Sequence, residues 1–343
     1  MRAAVLTGLG QVEIQERPEP EVRPDWVVVD VEAISVCGTD VHQLEGRIET
    51  PFPRVPGHDF AGRVSEVGEG VDPGLVGTPV AVKPSLPCME CAVCAEKDFD
   101  ECPRKKLMGL WLDGCMTEKV AVPAVNLVPR PDDVPAWQAC LLEPLAVGLN
   151  TIDRLNIRLG DTVLVLGQGP IGLCMARLAA LSGAGKLIVT DARDEVFEIS
   201  RAWGATHTIN VREQDLVETV TELTDGVLAD VVIETSGYPD SAGAVLDVLR
   251  KKGKLAMVGF AKDLPPLPII PMLMKTLTLY AVGGNGGFGQ YERALELLHT
   301  GRVELDRLVT HRFSLDDVAE ALDTGLHRKD GAIKIVLSPT GEF

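Results

Sequence analysis

The sequence predicts an α/β protein in two parts: a β-rich first region and a region built on a doubly wound parallel sheet. Three observations predict it. Residues 1–150 hold most of the 23 prolines and read as short strands broken by turns, with no long helical period. From about Leu159 onward, strands alternate with helical segments. A glycine pattern, G-x-G-x-x-G at Gly167, Gly169 and Gly172, stands where one of those strands meets a helix. At 343 residues the chain is also too long for one ordinary core.

The elements follow in order. WVVVDVEAISV, AGRVSEVG, VGTPVAV and EKVAVP are the strands of the first part. In the second part the strands are TVLVLG, KLIVTD, ADVVIETSG, KLAMVGF and LTLYAVGG. Between them, apolar residues recur at helical spacing, as with Ile171, Cys174, Met175, Leu178 and Leu181. Strand–helix alternation implies a parallel sheet. It ends at residues 283–289, GGNGGFG, a glycine-rich connection. Two helical stretches follow, the second announced by Ser314 and Asp317 as a capping-box pattern before VAEAL. A strand, IKIVL, closes the sequence. No internal repeat or low-complexity tail interrupts this order.

Composition narrows the function. Apolar residues make up 45% of the chain, as in a soluble globular protein. The formal net charge of −17 disfavours non-specific binding to nucleic acid or to anionic membranes. MRAAVLTGLGQVEIQ lacks the apolar core of a secretory peptide. The longest weakly charged run, TVLVLGQGPIGLCMA, is short and broken by glycine and proline, against a membrane span. A cytoplasmic location is expected, where disulfides are rare.

That location makes PSLPCMECAVCAEKDFDECPRKK, residues 84–106, informative. Cys88, Cys91, Cys94 and Cys102 follow C-x2-C-x2-C-x7-C. Thiolates at such short steps can close on one zinc ion. A thioredoxin-like redox pair is the competing reading, but it belongs near a βαβ unit, and here three cysteines run at equal spacing in a proline-rich region. Four thiolates leave no open position, so this zinc is expected to be structural.

LGQGPIG has the context its pattern requires: the strand TVLVL before it, an amphipathic helix after it. Gly167, Gly169 and Gly172 permit a tight turn and the close approach of a pyrophosphate to the helix start at Pro170 and Ile171. Asp191 ends the next strand, where a carboxylate accepts from adenosine ribose hydroxyls, with Arg193 two residues on. Ser236 and Val258, at the ends of ADVVIETSG and KLAMVGF, complete the candidate cofactor-binding set. Asp191 predicts NAD over NADP. Three further residues carry possible chemistry: Cys37 in SVCGTDVH, His58 in VPGHDF and Glu143 in LLEPLAVG. Each alone has an ordinary explanation, as a small buried thiol, a hydrogen-bonded turn histidine and a helix-start acid. Spacing does not assemble them.

Taken together, CGTDVH, GHDFAGRVSEVGEGV, the four-cysteine loop, LLEPLAVG, LGQGPIG and GAIKIVL resemble the zinc-dependent medium-chain dehydrogenase/reductase (alcohol dehydrogenase) superfamily, in this order and over essentially the whole chain. CGTDVH and Glu143–Pro144 point to its sorbitol, threonine and butanediol dehydrogenase-like branch. The resemblance implies a GroES-like β-rich catalytic domain of residues 1–150 completed by 290–343, and a Rossmann NAD-binding domain of 151–289. It implies a catalytic zinc on Cys37 and His58, with Glu143 the third ligand or its water-bridged substitute. Asp59 replaces the family's glutamate, as a ligand or an orienting group. Thr39 is the implied hydroxyl relay and His42 its outer end. Asn150 stands where the branch has histidine, and Cys115, Cys140 and Cys174 match no ligand position. The implied activity is NAD-dependent oxidation of a secondary alcohol, a polyol or sugar-derived hydroxyl, with two zinc ions per chain. L-Threonine and butanediol are the alternative substrates, and a zinc-free quinone-reductase-like enzyme or a cofactor-sensing zinc-ribbon module the alternative classes. The expected substrate pocket involves parts of 39–60, Trp111 and 283–289. The family's habit implies a homodimer or homotetramer.

Overall fold

The computed structural model describes residues 1–260, 268–284 and 289–343. Met1–Glu143 with Gly287–Phe343 form one compact unit, and Pro144–Gly286 form the other. The division falls in the first turn of a helix, ahead of the change of texture that marks it in the sequence.

The first unit opens on an antiparallel hairpin, β1 (Arg2–Gly8) and β2 (Gln11–Glu16). β3 (Trp26–Ser35) is its longest strand, and a nearly continuous apolar run buries Val27, Val28, Val29, Val31, Ala33 and Ile34. Helix α1 (Gly38–Leu44) follows directly. β4 (Asp59–Val67), β5 (Pro79–Val82), β6 (Lys119–Pro123) and β7 (Leu127–Pro129) then join one sheet. The core beneath it gathers Ile34, Phe60, Met108, Met116 and Leu337.

The second unit begins within helix α2 (Leu142–Leu155). β8 (Thr162–Leu166) runs into α3 (Pro170–Leu181). Of the periodic residues, the helix buries Cys174, Met175 and Leu178 and leaves Ile171 and Leu181 half-buried, while Leu173 is buried as well. β9 (Lys186–Asp191), β10 (His207–Asn210), β11 (Ala229–Glu234), β12 (Leu249–Met257) and β13 (Thr278–Ala281) complete the sheet. Every pairing is parallel, in the order β10-β9-β8-β11-β12-β13. Counted from β8 this is 3-2-1-4-5-6, the Rossmann order, with its reversal between β8 and β11. Leu164, Ile188, Val232 and Leu255 lie in its core.

The chain then returns to the first unit. β14 (Val309–Ser314), helix α4 (Val318–His327) and β15 (Lys334–Ser338) complete the seven-stranded sheet, ordered β14-β15-β3-β4-β5-β7 with β6 also on β3. Ser35 of β3 pairs with Asp59 of β4 on one side and Val336 of β15 on the other. That register brings the end of β3, the start of β4 and the C-terminal strand to one place. Among the described residues no helix is long and apolar enough to cross a membrane.

Candidate metal centres and cofactor site

The first centre forms at that junction. Cys37 follows β3 and precedes the first turn of α1; His58 immediately precedes β4 and Asp59 opens it. A ligand atom from each of Cys37, His58 and Asp59 lies within 4.8 Å of the others. His58 and Asp59 are buried. His58 Nε2 is 3.5 Å from Asp59 Oδ1, and that buried oxygen has no hydrogen-bond partner. An unpartnered carboxylate oxygen facing an imidazole nitrogen and a thiol is the donor set of a zinc site. Burial pulls His58 towards its neutral form, but Asp59, Cys37 and Asp40 push its pKa well above the ordinary value. The field at this junction therefore favours a positive charge.

Two supporting residues went unread in the sequence. Asp40 is fully buried and accepts from the Cys37 amide at 2.8 Å and the Gly57 amide at 3.0 Å. Its Oδ1 stands 3.9 Å from His58 Nδ1, on the side of the ring away from Asp59. The signal was available: an acid three residues after Cys37 fits the N3 position of a capping box. Lys334, in β15, is the second. Its Nζ reaches Ser35 Oγ at 2.6 Å, the Val36 carbonyl at 3.0 Å and Asp59 Oδ2 at 3.3 Å. Burial would lower its pKa; Asp59, Cys37 and Glu143 raise it above the ordinary value instead. A lysine inside the apolar run IKIVL needs such a partner.

The remaining candidates sit around this cluster. Glu143, in the first turn of α2, lies outside the 4.8 Å group but close enough to Lys334 to act on its charge. Thr39 Oγ1 is 3.8 Å from Cys37 Sγ. His42 Nδ1 is 3.5 Å from Glu45 Oε2. Cys115 and Cys140 are buried, and burial raises both thiols, with Asp59 adding to it. Cys140 Sγ turns to the Trp137 carbonyl at 3.3 Å. Trp111 is largely exposed, and residues 285–288 of the glycine-rich connection lie outside the described residues.

The second centre is the cysteine loop. Cys91 and Cys94 sulfurs are 3.5 Å apart, Cys88 and Cys94 3.9 Å, Cys91 and Cys102 4.0 Å. Four sulfurs at about 2.3 Å from one tetrahedral ion would be about 3.8 Å apart. The Glu90 amide helps draw the Cys88 thiol down to about 6, whereas burial and the neighbouring sulfurs push Cys94 up to about 12. Four thiols this close cannot all ionise unless a cation is shared among them, so the loop fits a closed zinc site.

In the second unit, Gly167 leaves β8 at φ 87° and approaches Ser236 so closely that a Cβ would sit 2.9 Å from its Cα. A Cβ on Gly172 would sit 1.9 Å from the Gly167 carbonyl oxygen. At Gly169, ahead of Pro170 and Ile171, a Cβ would meet nothing within 4 Å. The turn is thus closed on the protein side and open in front of the helix, as a pyrophosphate cradle must be. Asp191 Oδ2 accepts from the Gln168 amide at 2.7 Å, and Oδ1 from the amides of Ala192 and Arg193 and from Arg193 Nε at 3.3 Å. Glu234, fully buried at the end of β11, accepts from the Ser236 and Gly237 amides at 2.9 and 3.1 Å. Its own carbonyl accepts from the Val258 amide at 2.9 Å. Glu234 too went unread, although a carboxylate ending an apolar strand marks it.

Comparison with known proteins agrees with this architecture. Residues 23–132 match the alcohol dehydrogenase GroES-like domain, and residues 170–300 the zinc-binding dehydrogenase domain. The chain is 33% identical to the sorbitol dehydrogenase of Bacillus subtilis (strain 168), over 99% of this chain and 97% of that protein. It is similar to a structure described as a zinc-binding dehydrogenase from Sinorhizobium meliloti 1021 bound to NADP, with TM-score 0.90 and 28% identity over 98% of this chain and 99% of that one. A second similar structure, an alcohol dehydrogenase from E. coli CFT073 complexed with NADH, gives TM-score 0.90 and 27% identity over 98% and 99%. The chain belongs to the zinc-binding alcohol dehydrogenase family of medium-chain dehydrogenases, and is an oxidoreductase.

Proposed function

We propose that this chain oxidises a secondary hydroxyl of a polyol or sugar-derived alcohol to a ketone, with NAD as hydride acceptor and two zinc ions per chain. The observation that carries the reading is the buried carboxylate of Asp59 beside Cys37 and His58, with its Oδ1 unpartnered. Bound zinc supplies a Lewis acid for the substrate oxygen, and the nicotinamide accepts the hydride. The residues do the rest. Cys37, His58 and Asp59 would hold the metal, Asp40 and Lys334 would fix His58 and Asp59, and Glu143 would be a water-bridged outer partner. Thr39 would accept the hydroxyl proton at Oγ1 while passing its own outward, with His42, its Nδ1 towards Glu45, as the outer acceptor. Cys88, Cys91, Cys94 and Cys102 hold the structural ion.

A carboxylate is a harder donor than thiolate and suits an oxygen-rich substrate. Zinc can expand to five ligands, so two neighbouring hydroxyls can bind together. This favours vicinal diols over simple alcohols, as does similarity to a sorbitol dehydrogenase. NAD is favoured because Asp191 sits at the ribose position, where it would repel a 2′-phosphate. Arg193 is engaged with that carboxylate and is less available to a phosphate. The similar structures hold one cofactor each, NADP in one and NADH in the other.

Initial rates on sorbitol, sugar acids, L-threonine, butanediol and ethanol, each with NAD and NADP, test the reading. It expects the best kcat/KM from a vicinal diol with NAD. Ethanol outperforming every diol removes the substrate assignment, and equal or better rates with NADP remove the cofactor assignment.

The same reading includes a homodimer or homotetramer. Helix Ile269–Lys275 leaves Ile269, Ile270, Leu273 and Met274 57–74% exposed beside β13, the last strand of its sheet. A strand at the edge of its sheet among the described residues, with exposed apolar residues on the preceding helix, suits pairing with a second copy about a two-fold axis. Sedimentation as a monomer at micromolar concentration would count against it.

A further inference from the structure

Asn150 is a buried amide whose two ends are spoken for. It lies on α2, 2% exposed. Its Nδ2 donates to the Gly284 carbonyl at 3.2 Å, and its Oδ1 accepts from the Arg154 guanidinium. Arginine has only donors and a carbonyl only lone pairs, so the amide can point just one way. The helix itself is anchored: Lys254 Nζ, from β12, donates to the carbonyls of Leu155 at 2.6 Å and Asn156 at 3.0 Å.

Gly284 is not an arbitrary partner. It follows the C-terminal end of β13, just beyond Val282, whose amide still pairs with Met257 of β12. In a doubly wound sheet, dinucleotides lie outside the carboxyl ends of the strands, one half on each side of the reversal. Asp191, ending β9, marks the adenosine side. The carboxyl ends of β11, β12 and β13 therefore serve the nicotinamide side, and Gly284 belongs to it. Gly284 has φ 70°, a conformation its neighbours must maintain.

We propose that Asn150 is a positioning residue for the nicotinamide half of the cofactor site: clasped by Arg154, it fixes the Gly284 carbonyl and with it residues 282–284 that follow β13. The inference rests on the nicotinamide-dependent reading above. The chemistry required is one donor and one acceptor on a short side chain. Histidine offers both, whereas aspartate offers only acceptors and would repel the Gly284 carbonyl.

The test measures binding of NADH and, separately, of ADP-ribose to the zinc-loaded enzyme and to Asn150→Asp, Asn150→His and Arg154→Met. Asn150→Asp is expected to weaken NADH on the order of tenfold, the loss of one buried hydrogen bond, and to leave ADP-ribose unchanged. Asn150→His should restore NADH binding, and Arg154→Met, at an exposed site, should show a smaller loss in the same direction. Unchanged NADH binding by Asn150→Asp overturns the proposal, and so does an equal loss for NADH and ADP-ribose. If circular dichroism shows Asn150→Asp unfolded, Arg154→Met decides: NADH binding like the parent's overturns the inference. A parent enzyme that binds neither NADH nor NADPH instead sinks the nucleotide reading, and the inference with it.

Discussion

Cys88, Cys91, Cys94 and Cys102 come from fifteen consecutive residues, whereas Cys37, His58 and Asp59 meet because β3 and β4 lie side by side, with β15 on the other side of β3 supplying Lys334. The loop offers four identical soft donors. The junction offers three different donors, backed by a buried acid and a buried lysine. A closed shell of thiolates needs little from its surroundings once the metal binds. An open site must be held from behind, because its donors also face the reaction. The first kind of centre stabilises a lobe and can be encoded locally. The second is a property of the whole sheet.

The contrast breaks most easily at the loop. Cys91→Ser is expected to lose one zinc per chain by metal analysis and to disorder residues 84–106, with faster proteolysis there and a lower Tm. Structural zinc in small sites is worth on the order of 10 kcal/mol of apparent binding energy, so the effect should be the largest here. Unchanged metal content and unchanged melting would leave the cysteines without this role.

Cys37→Ser should do the opposite. Lewis-acid stabilisation is worth several kcal/mol, so kcat/KM is expected to fall about 10³-fold or more. The fold around it is held by the sheet, and Tm should move by only a few degrees, measured by calorimetry. If this variant melts as early as Cys91→Ser, the division into a stabilising centre and a reacting one is wrong.

Lys334→Met sharpens the point that the open centre is held from behind. Removing one partner of a buried ion pair costs about 3–5 kcal/mol. Asp59 Oδ2 would lose its cation, and catalytic zinc should dissociate more readily in chelator competition while the loop zinc stays. The pKa of Lys334 is raised in the folded state. Its stabilisation is therefore complete below the unfolded lysine value of about 10.4 and is lost only as pH rises through the higher folded value. The gap in Tm between parent and variant should hold steady from pH 6 to about 9. A gap that closes across that range would mean the lysine is not charged there.

How much of this was legible follows the same divide. The Rossmann half was readable because Gly167, Gly169, Gly172 and Asp191 mark a strand–turn–helix–strand within a few dozen residues. The cysteine loop was readable for the same reason. Lys334 was not, because its partners are far away in sequence: it meets Ser35 and Asp59 only through β15–β3 and β3–β4 pairing. Asp40 and Glu234 accept from amides only two or three residues away, at Cys37, Ser236 and Gly237, but their burial is a product of the fold. The boundary at 150 came with the family resemblance and the change of texture lies near Leu159, while the division between compact units falls at Glu143, in the first turn of α2. For Asn150 the sequence offered only a departure from the family, since its partner Gly284 lies beyond six strands.

Glu143 separates the two designs at finer scale. It carries a carboxylate in the first turn of α2, outside the three-residue cluster yet near enough to Lys334 to influence it. As a water-bridged group, it should tune the reaction without holding the metal alone. Glu143→Gln keeps its size and one acceptor oxygen but removes the charge. Loss of such an outer partner typically costs 10–100-fold, so kcat should fall by about that much, less than for Cys37→Ser, with zinc content and Tm unchanged. A drop as large as that of Cys37→Ser, together with lost zinc, would make Glu143 a direct ligand and the cluster four-membered. No change in kcat would leave it as an acid that merely suits a helix start, where a negative charge is favoured by the helix dipole.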